Sequence, residues 1–140
     1  MRSFFKKSSA EKTGEEAAVE ATILIVDDSP TETHILKGIV ESGGYKVITA
    51  VDGESGVTVA KETKPDLVLM DVVMPGLNGF QATRQLSKAP ETQDIPVIVV
   101  TTKDQETDRA WGLRQGAKEY VVKPVSAEEL LSKIKAVLAG

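Results

Sequence analysis

The sequence predicts an α/β fold: a doubly wound, five-stranded parallel sheet with helices on both faces, a three-layer α/β/α sandwich. Three observations predict it. Short continuous apolar runs recur along the chain, as strands buried on both faces of a parallel sheet require. Segments with helix-start signals and helical apolar spacing lie between those runs. The two kinds alternate throughout, and right-handed crossovers between parallel strands then distribute the helices over both faces. A length of 140 residues with 41 % hydrophobic content suits one such domain.

Residues 1–21 stand apart. They are rich in Ser, Glu, Lys and Ala, and Phe4-Phe5 is their only large apolar block. Basic residues (Arg2, Lys6, Lys7, Lys12) come early and acidic ones (Glu11, Glu15, Glu16, Glu20) mostly late. This composition predicts a disordered tail with nascent helix over residues 15–20. The sharper alternative is that Phe4-Phe5-Lys6-Lys7 forms a docking peptide or a weak membrane contact.

The expected domain covers residues 22–140. Its first strand is Ile23-Leu24-Ile25-Val26, ending in Asp27-Asp28. Ser29-Pro30-Thr31-Glu32 reads as a capping box with Pro at the first helical position. The helix it opens carries Ile35, Leu36, Ile39 and Val40 on one face and stops at Gly43-Gly44. Tyr45-Lys46-Val47-Ile48-Thr49 alternates, as an edge strand does. Asp52-Gly53-Glu54-Ser55 opens a second helix, and Leu67-Val68-Leu69-Met70 is a strand ending in Asp71. Asn78-Gly79-Phe80-Gln81 opens the third helix. The fourth strand spans residues 95–100 and ends in Thr101. The fourth helix runs from about Asp104 to Gln115 and stops at Gly116. Tyr120-Val121-Val122 is the fifth strand, ending in Lys123, and Ser126-Ala127-Glu128-Glu129 caps a last helix with Leu130, Leu131, Ile134, Val137 and Leu138 at helical spacing.

Composition narrows the chemistry. Lys and Arg number 17 against 21 Asp and Glu, a net charge of −4, so there is no general attraction to phosphate backbones and no nucleic-acid partner is expected. There is no Cys and a single His, which excludes disulfides, thiolate nucleophiles and His-rich zinc sites. Metal chemistry must use oxygen ligands and hence a hard ion such as Mg²⁺ or Ca²⁺. No run reaches the roughly 18 apolar residues of a membrane span, and the N-terminus lacks the apolar stretch of a signal peptide. A cytoplasmic protein without stable membrane insertion is expected.

In an open α/β sheet, ligands bind beyond the carboxyl ends of the strands. Asp27, Asp28, Asp71, Thr101 and Lys123 occupy those ends on four strands. One Asp after a strand is ordinary turn chemistry; four strands ending in reactive polar groups is not. Three clustered carboxylates repel, by roughly 4 kcal/mol per pair at about 4 Å and an effective dielectric near 20. A bound Mg²⁺ would remove that cost. A carboxylate beside Mg²⁺ and Lys is a plausible nucleophile toward a phosphoryl group, with the hydroxyl adding one more contact. Asp71, alone at its strand end, is the candidate nucleophile, and Asp27 and Asp28 the metal-holding pair.

The stretches ILIVDDS (23–29), DLVLMDVVMPGLNGF (66–80), IPVIVVTT (95–102) and GAKEYVVKPV (116–125) resemble the receiver domain of response regulators, of the CheY-like kind. The resemblance covers residues 22–139. It implies a flavodoxin-like strand order 2-1-3-4-5 and a phosphoacceptor at Asp71. It implies Mg²⁺ held directly by Asp28, Asp71 and the backbone carbonyl of Val73, with Asp27 acting through water. Lys123 would pair with the phosphoryl group ahead of a cis Lys123–Pro124 bond. Thr101 would be the switch hydroxyl and Tyr120 the aromatic that follows it inward. A histidine kinase of chemosensory type would be the donor, and the face of the fourth helix, fifth strand and fifth helix the output surface. MDVVMPGLNGFQATRQLSK and VTTKDQETDRAWGLRQGA look closest to PilH-type regulators of type IV pilus twitching motility. The implied protein is a stand-alone regulator whose only chemistry is its own phosphorylation and dephosphorylation.

Other residues have plainer readings. His34 is expected to be solvated on the first helix, the donor histidine belonging to a separate kinase. Trp111 is either core or partly exposed near a partner surface. Gly76 and Gly79 supply positive φ or close backbone approach. Met70 and Met74 are core and loop residues. Val73 gives a water nucleophile no help, which favours a long-lived phosphoryl state. It also weighs against an Asp-nucleophile phosphohydrolase, which would want a second Asp there as acid/base. A flavodoxin-like cofactor module would want a Ser/Thr/Gly-rich phosphate loop where Asp27-Asp28 stands.

Overall fold

The computed structural model describes residues 20–140. The predicted tail, with its nascent helix and its Phe4-Phe5-Lys6-Lys7 peptide, lies outside the described residues except for Glu20 and Ala21. Strands and helices alternate as β1 (Thr22–Val26), α1 (Pro30–Ser42), β2 (Lys46–Ala50), α2 (Gly53–Thr63), β3 (Leu67–Met70), α3 (Gly79–Lys88), β4 (Val97–Thr101), α4 (Glu106–Arg114), β5 (Glu119–Val122) and α5 (Ala127–Leu138). All strand pairs are parallel, in the order β2-β1-β3-β4-β5.

The continuous apolar strands divide their side chains between two cores, as the period of two dictates. Ile23 and Ile25 pack with Leu36 and Val40 of α1 and with Leu130 and Ile134 of α5. Leu24 and Val26 pack on the other face with Val57 and Ala60 of α2 and Ala82 and Leu86 of α3. A third cluster, Val72, Phe80, Val99, Ala117 and Tyr120, fills the space beneath α3 and α4. β2 lies at an edge and is only partly buried, as its alternating sequence predicts.

Three local expectations change. In α1 the Ser29 hydroxyl accepts the Glu32 N–H at 3.3 Å, but the Ser29 N–H donates to Asp27 Oδ1 at 2.9 Å rather than to Glu32. The capping box is therefore half formed, because the carboxylate two residues earlier in the chain takes the donor first. Ile35 is 47 % exposed instead of joining Leu36 and Val40. Finally, α4 starts at Glu106 and buries only Gly112, leaving Trp111 49 % exposed. Among the described residues no helix is long and apolar enough to cross a membrane.

Candidate functional site

The topology brings the polar strand ends together. β1 and β3 are neighbours, with Val26 opposite Met70, so Asp27 and Asp71 emerge side by side. Carboxylate oxygens of Asp27, Asp28 and Asp71 all lie within 4.8 Å of one another. Asp27 and Asp71 are buried, whereas Asp28 is exposed. Lys123 reaches in from the end of β5, its Nζ 2.9 Å from Asp27 Oδ2, 3.5 Å from Glu32 Oε1 and 3.9 Å from Asp71 Oδ1. The Lys123–Pro124 peptide is cis.

Backbone groups complete the shell. Asp71 Oδ1 accepts the Val72 N–H at 2.8 Å. Asp27 Oδ1 accepts the Ser29 N–H. Burial pushes the Asp71 carboxyl above the ordinary carboxylate pKa; the Lys123 charge opposes that, and the Asp27 and Asp28 charges reinforce it. For Lys123, burial pulls the ammonium down. The Asp27 hydrogen bond and the charges of Asp71, Asp27 and Glu32 outweigh it, so its pKa lies above that of an ordinary lysine.

The two glycines of the following loop serve one purpose each. Gly76 takes φ +73°, the left-handed region. At Gly79 a Cβ would overlap the carbonyl oxygen of Asp71, and the Gly79 N–H donates to the Val72 carbonyl at 3.0 Å. Only glycine lets α3 begin against the backbone of Asp71.

Thr101, at the end of β4, is fully buried, and its Oγ1 accepts the Lys103 N–H at 3.4 Å. Tyr120 is 2 % exposed and its hydroxyl donates to the Lys103 carbonyl at 2.8 Å. One residue, Lys103, thus ties the Thr101 hydroxyl to the Tyr120 phenol through its two backbone groups. Burial pushes the Tyr120 phenol pKa up to about 12. The Val73 side chain points outward, 60 % exposed. His34 is exposed on α1, bordering a groove with Asp27, Asp28 and Lys37. Sequence reading missed Glu32 as part of the site. Its spacing to Ser29 signalled a helix cap, and nothing local signals a contact with a residue 91 positions later.

Residues 23–135 match the response regulator receiver domain. The chain belongs to that family. The receiver is 63 % identical to Protein PilH of Pseudomonas aeruginosa over 120 residues, 86 % of this chain and 99 % of that protein. It is 40 % identical to the alkaline phosphatase synthesis transcriptional regulatory protein PhoP of Bacillus subtilis, over 83 % of this chain but only 48 % of PhoP. Among solved structures, the receiver domain of a sensor histidine kinase from Pseudomonas aeruginosa superposes with a TM-score of 0.81 at 29 % identity, covering 87 % of this chain and all of that one. That structure carries a magnesium ion coordinated in its active site cleft. In this receiver the donors fit such an ion: three converging carboxylates, with no sulfur or imidazole among them.

Proposed function

We propose that this receiver accepts a phosphoryl group on Asp71 from a histidine kinase of chemosensory type. It then signals through protein contacts, or drains phosphoryl groups from that kinase, in type IV pilus twitching motility. The observation that carries the reading is the Asp71 carboxylate, buried at its strand end with Lys123 Nζ 3.9 Å away and two further carboxylates within 4.8 Å. An Asp71 oxygen attacks phosphorus, the P–N bond to the donor imidazole breaks, and its electron pair leaves with that nitrogen. Lys123 receives charge on the phosphoryl oxygens. Asp27, Asp28, Asp71 and the Val73 carbonyl would hold Mg²⁺, which supplies positive charge to the transferring oxygens. Likeness to PilH over 99 % of its length supports the twitching-motility assignment.

Output follows from the Lys103 link. A phosphoryl oxygen that draws the Thr101 hydroxyl inward releases the Lys103 N–H, and Lys103 also holds Tyr120. The two packings differ at α4, β5 and α5, the face carrying Lys103, Arg109 and Trp111. Incubation with acetyl phosphate and Mg²⁺ should add one phosphoryl group by intact mass, and Asp71→Asn should add none. Label persisting on that variant refutes the assignment. Thr101→Ala should still be labelled but lose the response of partner binding to beryllofluoride. A variant that responds as the parent does removes the proposed coupling.

A further inference from the structure

Glu32 is the one carboxylate at the site to which the reading above gives no part. It stands at the third position of α1, where a Glu after a Ser cap returns to the cap's N–H. That N–H is taken by Asp27. The Glu32 carboxylate turns instead to Lys123, at 3.5 Å. Lys123 therefore faces three carboxylates, Asp27 at 2.9 Å, Glu32 at 3.5 Å and Asp71 at 3.9 Å. An ammonium has three N–H donors and no acceptor. Only Asp27 holds one of them in a hydrogen bond; Glu32 and Asp71 act on the ammonium by charge at longer range, so a phosphoryl oxygen on Asp71 draws it against the pull of Glu32.

The partners differ in what release would cost them. The Asp27 side chain is 1 % exposed, so losing the ammonium would leave a buried charge without its counterion. The Glu32 side chain is 39 % exposed, and water can replace the ammonium there. We propose that Glu32 is a positioning residue acting through Lys123: it competes with the phosphoryl oxygens for the ammonium and is the contact displaced when Asp71 carries a phosphoryl group. The proposal rests on Asp71 being the phosphoacceptor. In that step the new bond is Asp71 O–P, the broken one joins phosphorus to the donor, and the electron pair leaves with the donor. Glu32 makes no bond to phosphorus and moves no proton; only its ion pair shifts. Its negative charge also opposes an arriving anionic donor while favouring a bound cation, so the two ligands respond with opposite sign.

Glu32→Gln tests this on the full chain, because it removes the charge and keeps the side-chain length and the backbone N–H that Ser29 caps. Beryllofluoride affinity is measured by calorimetry at saturating Mg²⁺, labelling by acetyl phosphate is followed by intact mass, and Mg²⁺ affinity is measured alone. The variant should bind beryllofluoride about three- to fivefold more tightly and label faster by a similar factor, the range of one partly exposed ion pair. The difference should shrink at about 0.5 M salt. Mg²⁺ affinity should stay equal or fall slightly. Unchanged or weaker beryllofluoride binding overturns the proposal, as does a gain in Mg²⁺ affinity parallel to it, which would signal a general loosening of the site. A labelled parent with an unaltered variant overturns this proposal alone. A parent that takes no label at Asp71 overturns the phosphoacceptor reading, and this one with it.

Discussion

Replacing Asp71 by Asn should make the metal-free protein more stable. Its carboxylate has two like neighbours within 4.8 Å. At an effective dielectric of about 20, each unit pair at that distance repels by about 3.5 kcal/mol. Lys123 at 3.9 Å returns about 4 kcal/mol of attraction. Asp28 is exposed, and solvent screening weakens its share. The remainder, joined to the desolvation of a carboxylate that is 8 % exposed, leaves the ionised form unfavourable by about 1–2 kcal/mol. Asn has the same shape and keeps an oxygen for the Val72 N–H, so the substitution recovers that amount, about 3–8 °C in Tm. The pH dependence has a definite sign. The folded pKa of Asp71 lies above its ordinary value of 3.8, so folding favours the protonated acid. The destabilisation is absent below the unfolded value, grows as pH rises toward the folded one, and is constant above it. Thermal unfolding followed by circular dichroism, with chelator, should show the full advantage of the variant at pH 7 and a shrinking one on acidification toward about pH 4. A variant that melts at or below the parent at pH 7, or an advantage that persists in acid, would refute the electrostatic account.

Mg²⁺ at one hundred times its Kd should stabilise the parent by about 2.7 kcal/mol, and Asp28→Ala should remove most of the shift; an unmoved midpoint in tens of millimolar Mg²⁺ contradicts a cation site. Gly79→Ala should cost about 2–3 kcal/mol in urea unfolding, because its Cβ overlaps the Asp71 carbonyl and neither backbone can yield; near-parental stability would show that α3 can shift. Tyr120→Phe should lose about 1 kcal/mol with the Lys103 hydrogen bond. In the parent, the Tyr120 absorbance change should centre near pH 12, and stability should decline from the unfolded tyrosine value of about 10 upward to that point, since only the unfolded chain ionises there. An ordinary tyrosine midpoint for Tyr120 would mean that the phenol is not buried as described.

The sequence by itself determined the layers and the location of the site. Apolar runs such as Ile23-Leu24-Ile25-Val26, too short for a buried helix and bounded by turn residues, suggest strands with both faces covered, and parallel strands need crossovers, so the sandwich followed from local pattern plus chain geometry. The site followed from the same logic, since polar groups at strand ends must gather where the strands end. Tertiary structure alone decided which of those groups touch. Asp27 and Lys123 are 96 residues apart, and their 2.9 Å contact depends on β1 and β5 both ending at one rim of the sheet. Ser29 and Glu32 carry a capping signal that is half fulfilled: the Ser29 N–H goes to Asp27 two residues back, a local competition, whereas the turn of the Glu32 carboxylate to Lys123 is decided by the fold. Helical spacing put Ile35 in the same stripe as Leu36, but the width of the stripe that α5 and the sheet can cover is a property of packing. The same holds for Trp111, left outside because Gly112 is the residue α4 buries, set close against the rings of Tyr120 and Phe80. Periodicity and strand-end chemistry are written along the chain; a pairing between distant side chains is written only in the distances that folding creates.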